Sequence, residues 1–108
     1  MPVVYAEVAL PRFAPDTLTY SVPDGLIPFV TEGVRVRVPV RRRTATGIVV
    51  ATGAETELDP AIVKPITDVL DSEPLLPEHL LDLARFIASY YRSPLGTALA
   101  TILPTPLL

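Results

Sequence analysis

The chain has 108 residues, enough for one domain with a real core but a thin margin of stability. With 49% hydrophobic and 19% charged residues it is not a disordered tail, and with no cysteine it holds neither disulfides nor thiolate metal sites. A single histidine rules out a histidine-built zinc centre, and the net charge of −3 argues against nucleic-acid binding through the whole surface. A local basic patch stays open, because screening confines surface charge to about 10 Å.

Residues 3–10, VVYAEVAL, are rich in β-branched side chains and predict a first strand, ended by Pro11. Residues 18–22, LTYSV, predict a second, closed by the turn signal Pro23-Asp24-Gly25. Residues 34–38 alternate, with Val34, Val36 and Val38 on one face and Arg35 and Arg37 on the other, the pattern of a half-buried strand. Pro39 limits that strand or places it at a sheet edge. Arg41 to Arg43 read as a loop and residues 46–52, TGIVVAT, as the next strand, giving a hairpin with a basic tip. Residues 53–60, GAETELDP, form an acidic loop, and 62–70, IVKPITDVL, predict another strand with Pro65 at an edge or bulge. Thirteen prolines leave no room for a long helix before residue 74.

The pattern changes at Glu73-Pro74. From Pro77 to Tyr91, Leu80, Leu83, Ala84, Ile87 and Tyr90 or Tyr91 recur at helical spacing, with Pro77 in the first turn and Glu78 complementing the dipole. Ser93-Pro94 stops this helix, and LGTALATIL predicts a shorter second one. The apolar tail PTPLL reads as a cut within a longer chain. The expected fold is α+β: a single domain over 1–108, with a small antiparallel, barrel-like sheet of five or six strands followed by a C-terminal helix.

Catalytic constellations are missing. No phosphate-cradling glycine loop matches, and serines 21, 72, 89 and 93 lack a nucleophile elbow. His79 reads as a solvated helix residue, and Asp68 with Asp71, or Glu55 with Glu57, as loop decoration. Binding is better supported. Five of the nine basic residues fall within positions 35–43 of an acidic chain. Arginine offers phosphate a planar fork, and Tyr20 is placed to stack on a base. The competing reading is that these arginines only solvate an edge strand and discourage aggregation.

Taken in order, several segments resemble one family. MPVVYAEVALP followed by LTYSVPDGL is similar to an opening V-A-V-A-L-P and F-D-Y-x-V-P-x-G-L. GVRVRVP is similar to G-x-R-V-x-V-P-F-G, and TGIVV to the strand after it. VKPITDVLDSEPLLP and ASYYRSPLG are similar to L-K-x-V-x-x-V-L-D-x-x-P-L-L and A-x-Y-Y-x-x-P-L-G. The chain thus resembles the N-terminal domain of the primosomal protein N′ (PriA) replication-restart helicase family across its whole length.

The resemblance implies a non-catalytic module that binds the 3′ end of a DNA strand at a fork. ATP and zinc belong to the rest of a family member, and no cofactor to this domain. DNA is the implied partner, with single-stranded-DNA-binding protein and other primosome proteins as further ones. The family's pocket segments fall on Leu18, Thr19 and Tyr20, on Val38 to Arg41, and on Lys64. Three positions depart from the pattern: Leu18 replaces an aromatic, Thr19 an aspartate and Arg41 a glycine. Adding the basic hairpin, the candidate DNA-binding residues are Leu18, Thr19, Tyr20, Arg35, Arg37, Arg41, Arg42, Arg43 and Lys64. The alternative is a protein-interaction module that docks on a helicase core or another replication protein. No apolar run reaches the ~18 residues of a membrane span, and the N-terminus lacks a signal-peptide n-region. A cytoplasmic, nucleoid-associated location is expected.

Overall fold

The computed structural model describes residues 3–11 and 14–103, without the side chains of 14–16. The tail PTPLL lies outside them. Five strands, β1 (Tyr5–Leu10), β2 (Ala14–Ser21), β3 (Arg35–Val40), β4 (Arg43–Gly53) and β5 (Asp68–Val69), precede two helices, α1 (Glu78–Tyr90) and α2 (Leu95–Ile102). Short 3-10 turns lie at Asp24–Phe29 and Pro60–Ile62. The strands form one antiparallel sheet in the order β2-β1-β4-β3-β5, so the α+β expectation holds.

The sheet curls toward a barrel but does not close. Residues 64–70 run between its two edges. The Ser21 N–H donates to the Lys64 carbonyl and the Ile66 N–H to the Ser21 carbonyl, tying the segment to β2. The Thr67 N–H then donates to the Arg37 carbonyl and the Leu70 N–H to the Arg35 carbonyl, tying it to β3. Because these bonds are divided between two strands, and Pro65 supplies no donor, the strand expected over 62–70 shrinks to Asp68–Val69 and an isolated bridge at Pro65. β2 begins earlier than expected, taking in Pro15, which an edge strand tolerates. Pro39 also lies inside β3, at a point where its missing N–H faces the open side beyond β5.

Each face of the sheet covers a core. Val8, Leu10, Tyr20, Val34, Val36, Val38 and Val49 fill the concave side. Ala9, Ile48 and Val50 face the helices and pack against Leu76, Leu81, Ala84, Ala98 and Leu99. β1 and β4 therefore bury apolar residues on both faces, which explains the runs Val8–Leu10 and Ile48–Ala51, with Glu7 the one charged residue inside β1. On α1 the buried stripe is rotated from the expected one. Leu81 and Ala84 are buried, Leu80, Ile87 and Ala88 are partly so, and Leu83 is exposed. Tyr90 and Tyr91, 69% and 71% exposed, lie outside the core and form an aromatic cluster with Phe86.

Two glycines set close approaches. Gly33 has φ +94°, and a Cβ there would lie 2.2 Å from the Leu76 carbonyl oxygen. At Gly47 a Cβ would lie 2.4 Å from a Val8 methyl and 2.8 Å from both the Ala9 carbonyl oxygen and a Leu10 methyl.

Arg35 does not reach toward a ligand. Its guanidinium Nη2 donates to Asp71 Oδ1 at 2.8 Å and its backbone N–H to Oδ2 at 2.9 Å, with the side chains 25% and 13% exposed. Hydrogen bonds from the Arg35 side chain hold the Asp71 carboxyl below the usual carboxylate range, against the opposing effect of burial. The folded state thus binds fewer protons at Asp71 than the unfolded chain. Its contribution is complete above about pH 5 and fades as pH falls through the unfolded value near 4. Asp71→Asn is expected to cost about 1–2 kcal/mol near neutrality. The gap should narrow as pH falls below the unfolded carboxyl's value and through the depressed folded one, read from urea titrations followed by circular dichroism. A gap independent of pH would remove the ion pair as its cause.

Candidate nucleic-acid interface

Three separated segments converge on a cleft of about 970 Å³. β2 contributes Leu18, Thr19 and Tyr20, the β3–β4 hairpin Pro39 to Arg43, and the 3-10 turn and its flanks Leu58, Ile62 and Lys64. The floor is apolar and partly exposed at Leu18, Leu58 and Ile62. Among the described residues the rim carries four cations and no carboxylate. Among the described residues the ion pairs involve only Arg35 and Arg85 as cations, so Arg41, Arg42, Arg43 and Lys64 are uncommitted.

The hairpin tip is a two-residue turn, Arg41-Arg42, closed by the Val40–Arg43 pair. Arg41 has φ +57°, the left-handed region. Arg42 is not in that region, and a positive φ at only the first of two turn residues is the type II′ pattern, where glycine is usual; a side chain there costs about 1–2 kcal/mol. Arg41→Gly relieves that strain but frees the unfolded chain, for a net gain of roughly 0.5–1 kcal/mol. Thermal unfolding should move up by about 2–4 °C. An unchanged or lower midpoint would show that Arg41 is not strained.

Tyr20 departs from expectation. Its ring is only 4% exposed, packed in the concave core, so no base stacks on its face. Its hydroxyl donates to the Pro39 carbonyl at 2.7 Å, joining β2 to the hairpin and so holding two walls of the cleft together. Burial pushes the phenol's pKa up and keeps it a neutral donor.

Thr19 offers its backbone as well as its hydroxyl. Ser21 turns its N–H and C=O outward to residues 64–66, and Val22 turns its N–H inward to the Val4 carbonyl. Same-edge groups recur every second residue along a strand. The Thr19 N–H and C=O therefore face the open edge that borders the cleft.

The structure thus brings together Leu18, Thr19, Tyr20, Arg41, Arg42, Arg43 and Lys64, and leaves two predicted residues outside. Arg35 is held by Asp71, and Arg37 is exposed on the other face of β3, opposite Thr46. Leu58 and Ile62 escaped sequence reading because the segment 53–60 is dominated by its acidic residues. Two aliphatics flanking Asp59-Pro60 were the available signal. Asp59 itself is turned to structure, its side chain accepting from the Ala61 N–H at 2.9 Å.

An apolar floor, a cationic rim and an open backbone edge together suit a flat, partly apolar group attached to phosphates, and this defines a nucleic-acid-binding module. Residues 7–104 match the family model described as the 3′ DNA-binding domain (3′BD) of PriA, and the chain belongs to that family. The family is a binding domain, not a catalytic one, and its partner is DNA. The chain is 35% identical over 101 residues to the replication restart protein PriA of Chlamydia pneumoniae, covering 94% of this chain and 13% of that protein. The PriA proteins of Bacillus subtilis and Synechocystis are 35% and 38% identical over 88 and 92 residues, with 82% and 83% of this chain and 11% of each relative covered. The chain therefore spans only about an eighth of the length of these relatives. Among the described residues no helix is long and apolar enough to cross a membrane, and no cluster of His, Asp or Glu would hold a metal ion.

Proposed function

We propose that this domain is the DNA-binding module of a replication-restart protein, engaging forked DNA at the 3′ end of the leading strand. The observation that carries the reading is the convergence of residues 18–20, the basic hairpin tip and Lys64 on one cleft. Arg41, Arg42, Arg43 and Lys64 hold the last phosphates. Leu18, Leu58 and Ile62 pack against the terminal sugar and base. Thr19 meets the terminal nucleotide through its backbone edge and hydroxyl. The module needs no cofactor of its own. It works in the cytoplasm on nucleoid DNA, alongside single-stranded-DNA-binding protein and other primosome proteins.

Fluorescence anisotropy on forks that differ only at the leading-strand terminus tests the reading. A 3′-hydroxyl fork should bind about tenfold more tightly than a 3′-phosphate fork, the worth of one or two good hydrogen bonds. Equal affinities would sink end recognition and leave only general DNA binding.

A further inference from the structure

Glu7 lies on β1 directly opposite Thr19 on β2. The Val22 N–H bond to the Val4 carbonyl fixes the alternation along this ladder, making Glu7–Thr19 a position without mutual backbone bonds. At such positions facing side chains come closest. The Thr19 hydroxyl donates to Glu7 Oε1, and the Thr17 hydroxyl donates to Oε2 at 3.2 Å. No cation among the described residues forms an ion pair with Glu7. Among the described residues the half-buried carboxylate is thus held by two hydroxyls, beside a cleft with no acid among its described lining residues.

This arrangement has a chemical consequence. A hydroxyl carries one proton. With that proton committed to Glu7, the Thr19 oxygen offers only lone pairs to a ligand. A negative charge stands directly behind it, at a rim that elsewhere is cationic. A group settling there must bring a donor and no charge of its own. A free terminal hydroxyl meets both conditions, whereas a terminal phosphate brings acceptors and like charge.

We infer that Glu7 is a positioning residue for end selection, fixing the Thr19 hydroxyl as an acceptor and making the cleft prefer a free 3′-hydroxyl to a 3′-phosphate. The inference rests on the end-binding reading above and names the residue that gives it selectivity. Glu7 acts through Thr19, while the arginines supply affinity common to both ends.

The experiment measures the ratio of affinities for the 3′-hydroxyl and 3′-phosphate forks in wild type, Glu7→Gln, Thr19→Val and Thr17→Val, each checked for folding by circular dichroism. Glu7→Gln keeps shape and removes charge. It should cut a wild-type ratio of about ten to below two, chiefly by tightening the phosphate fork. Thr19→Val should lower the ratio similarly, and the two changes combined should add little, since they break one linkage. Thr17→Val should leave the ratio within twofold, because Thr17 braces the carboxylate from the other side. A wild-type ratio near one overturns end recognition and this inference with it. A ratio of about ten that survives Glu7→Gln overturns the role of Glu7 alone. A loss in Thr17→Val equal to that in Glu7→Gln would mean a general loosening of β1 and β2 and would also overturn it.

Discussion

Replacing the hairpin tip by Arg41→Gly, Arg42→Gln and Arg43→Gln is expected to weaken binding to single-stranded and forked DNA roughly 100-fold near 0.15 M salt. Each phosphate contact contributes about 0.7–0.9 to the slope of log affinity against log salt, so the slope should become shallower by about 2–3. The combination separates binding from folding. Glycine suits the positive φ of position 41, and the three side chains are exposed, so the variant should be at least as stable as wild type. Reduced affinity in a domain that melts no lower assigns the loss to charge. The 3′-hydroxyl to 3′-phosphate ratio should change little, because the arginines act on both ends alike. If affinity and salt slope are unchanged, the cluster only solvates an edge, the competing reading of the sequence.

The largest stability effect is expected at Gly33. Its φ of +94° is a region that side-chain-bearing residues rarely adopt, and a Cβ would lie 2.2 Å from the Leu76 carbonyl oxygen, which is backbone and cannot rotate aside. The same residue donates to the Val49 carbonyl at 2.8 Å and accepts from the Leu75 and Leu76 N–H groups at 3.0 and 3.1 Å. It therefore fastens the concave core, through Val34, to the helical core, through Leu76. Gly33→Ala should cost at least about 3 kcal/mol. For a domain of this size, with a total of roughly 5–15 kcal/mol, that is a large fraction. Denaturant titration gives the value directly. A loss below about 1 kcal/mol would show that the 74–77 segment re-seats freely.

Much of the fold was legible because periodicity and proline placement report on backbone geometry. The alternating valines of β3, the basic turn and the Pro77 start of α1 each follow from local rules. Residues 62–70 did not, because their bonds are divided between two distant strands, and that division is a property of the curled sheet as a whole. The rotated face of α1 was obscured because hydrophobic residues lie almost all round the helix. At the site, the hairpin charge and Lys64 were visible, whereas the fate of individual side chains was not. Arg35 looks the same as Arg37 in sequence until Asp71, 36 positions on, is brought beside it. Tyr20 sits beside binding residues but is turned inward to hold the hairpin. Thr19 suggested a pocket without a carboxylate, and only strand pairing returns one, from Glu7.

Gly47 carries a different kind of information. β1 and β4 bury apolar residues on both faces, so hydrophobic alternation, which normally tells one strand alignment from the next, is weak between them. A shift of two residues is the dangerous error, since it keeps every side chain on its own face. It would bring Ala45 or Val49 to the point where β4 passes Val8, Ala9 and Leu10, and no Cβ fits there. The missing side chain thus acts as an alignment mark, excluding misaligned pairings of β1 with β4 by steric clash. It keeps the basic tip, six residues before it, in line with the cleft it serves.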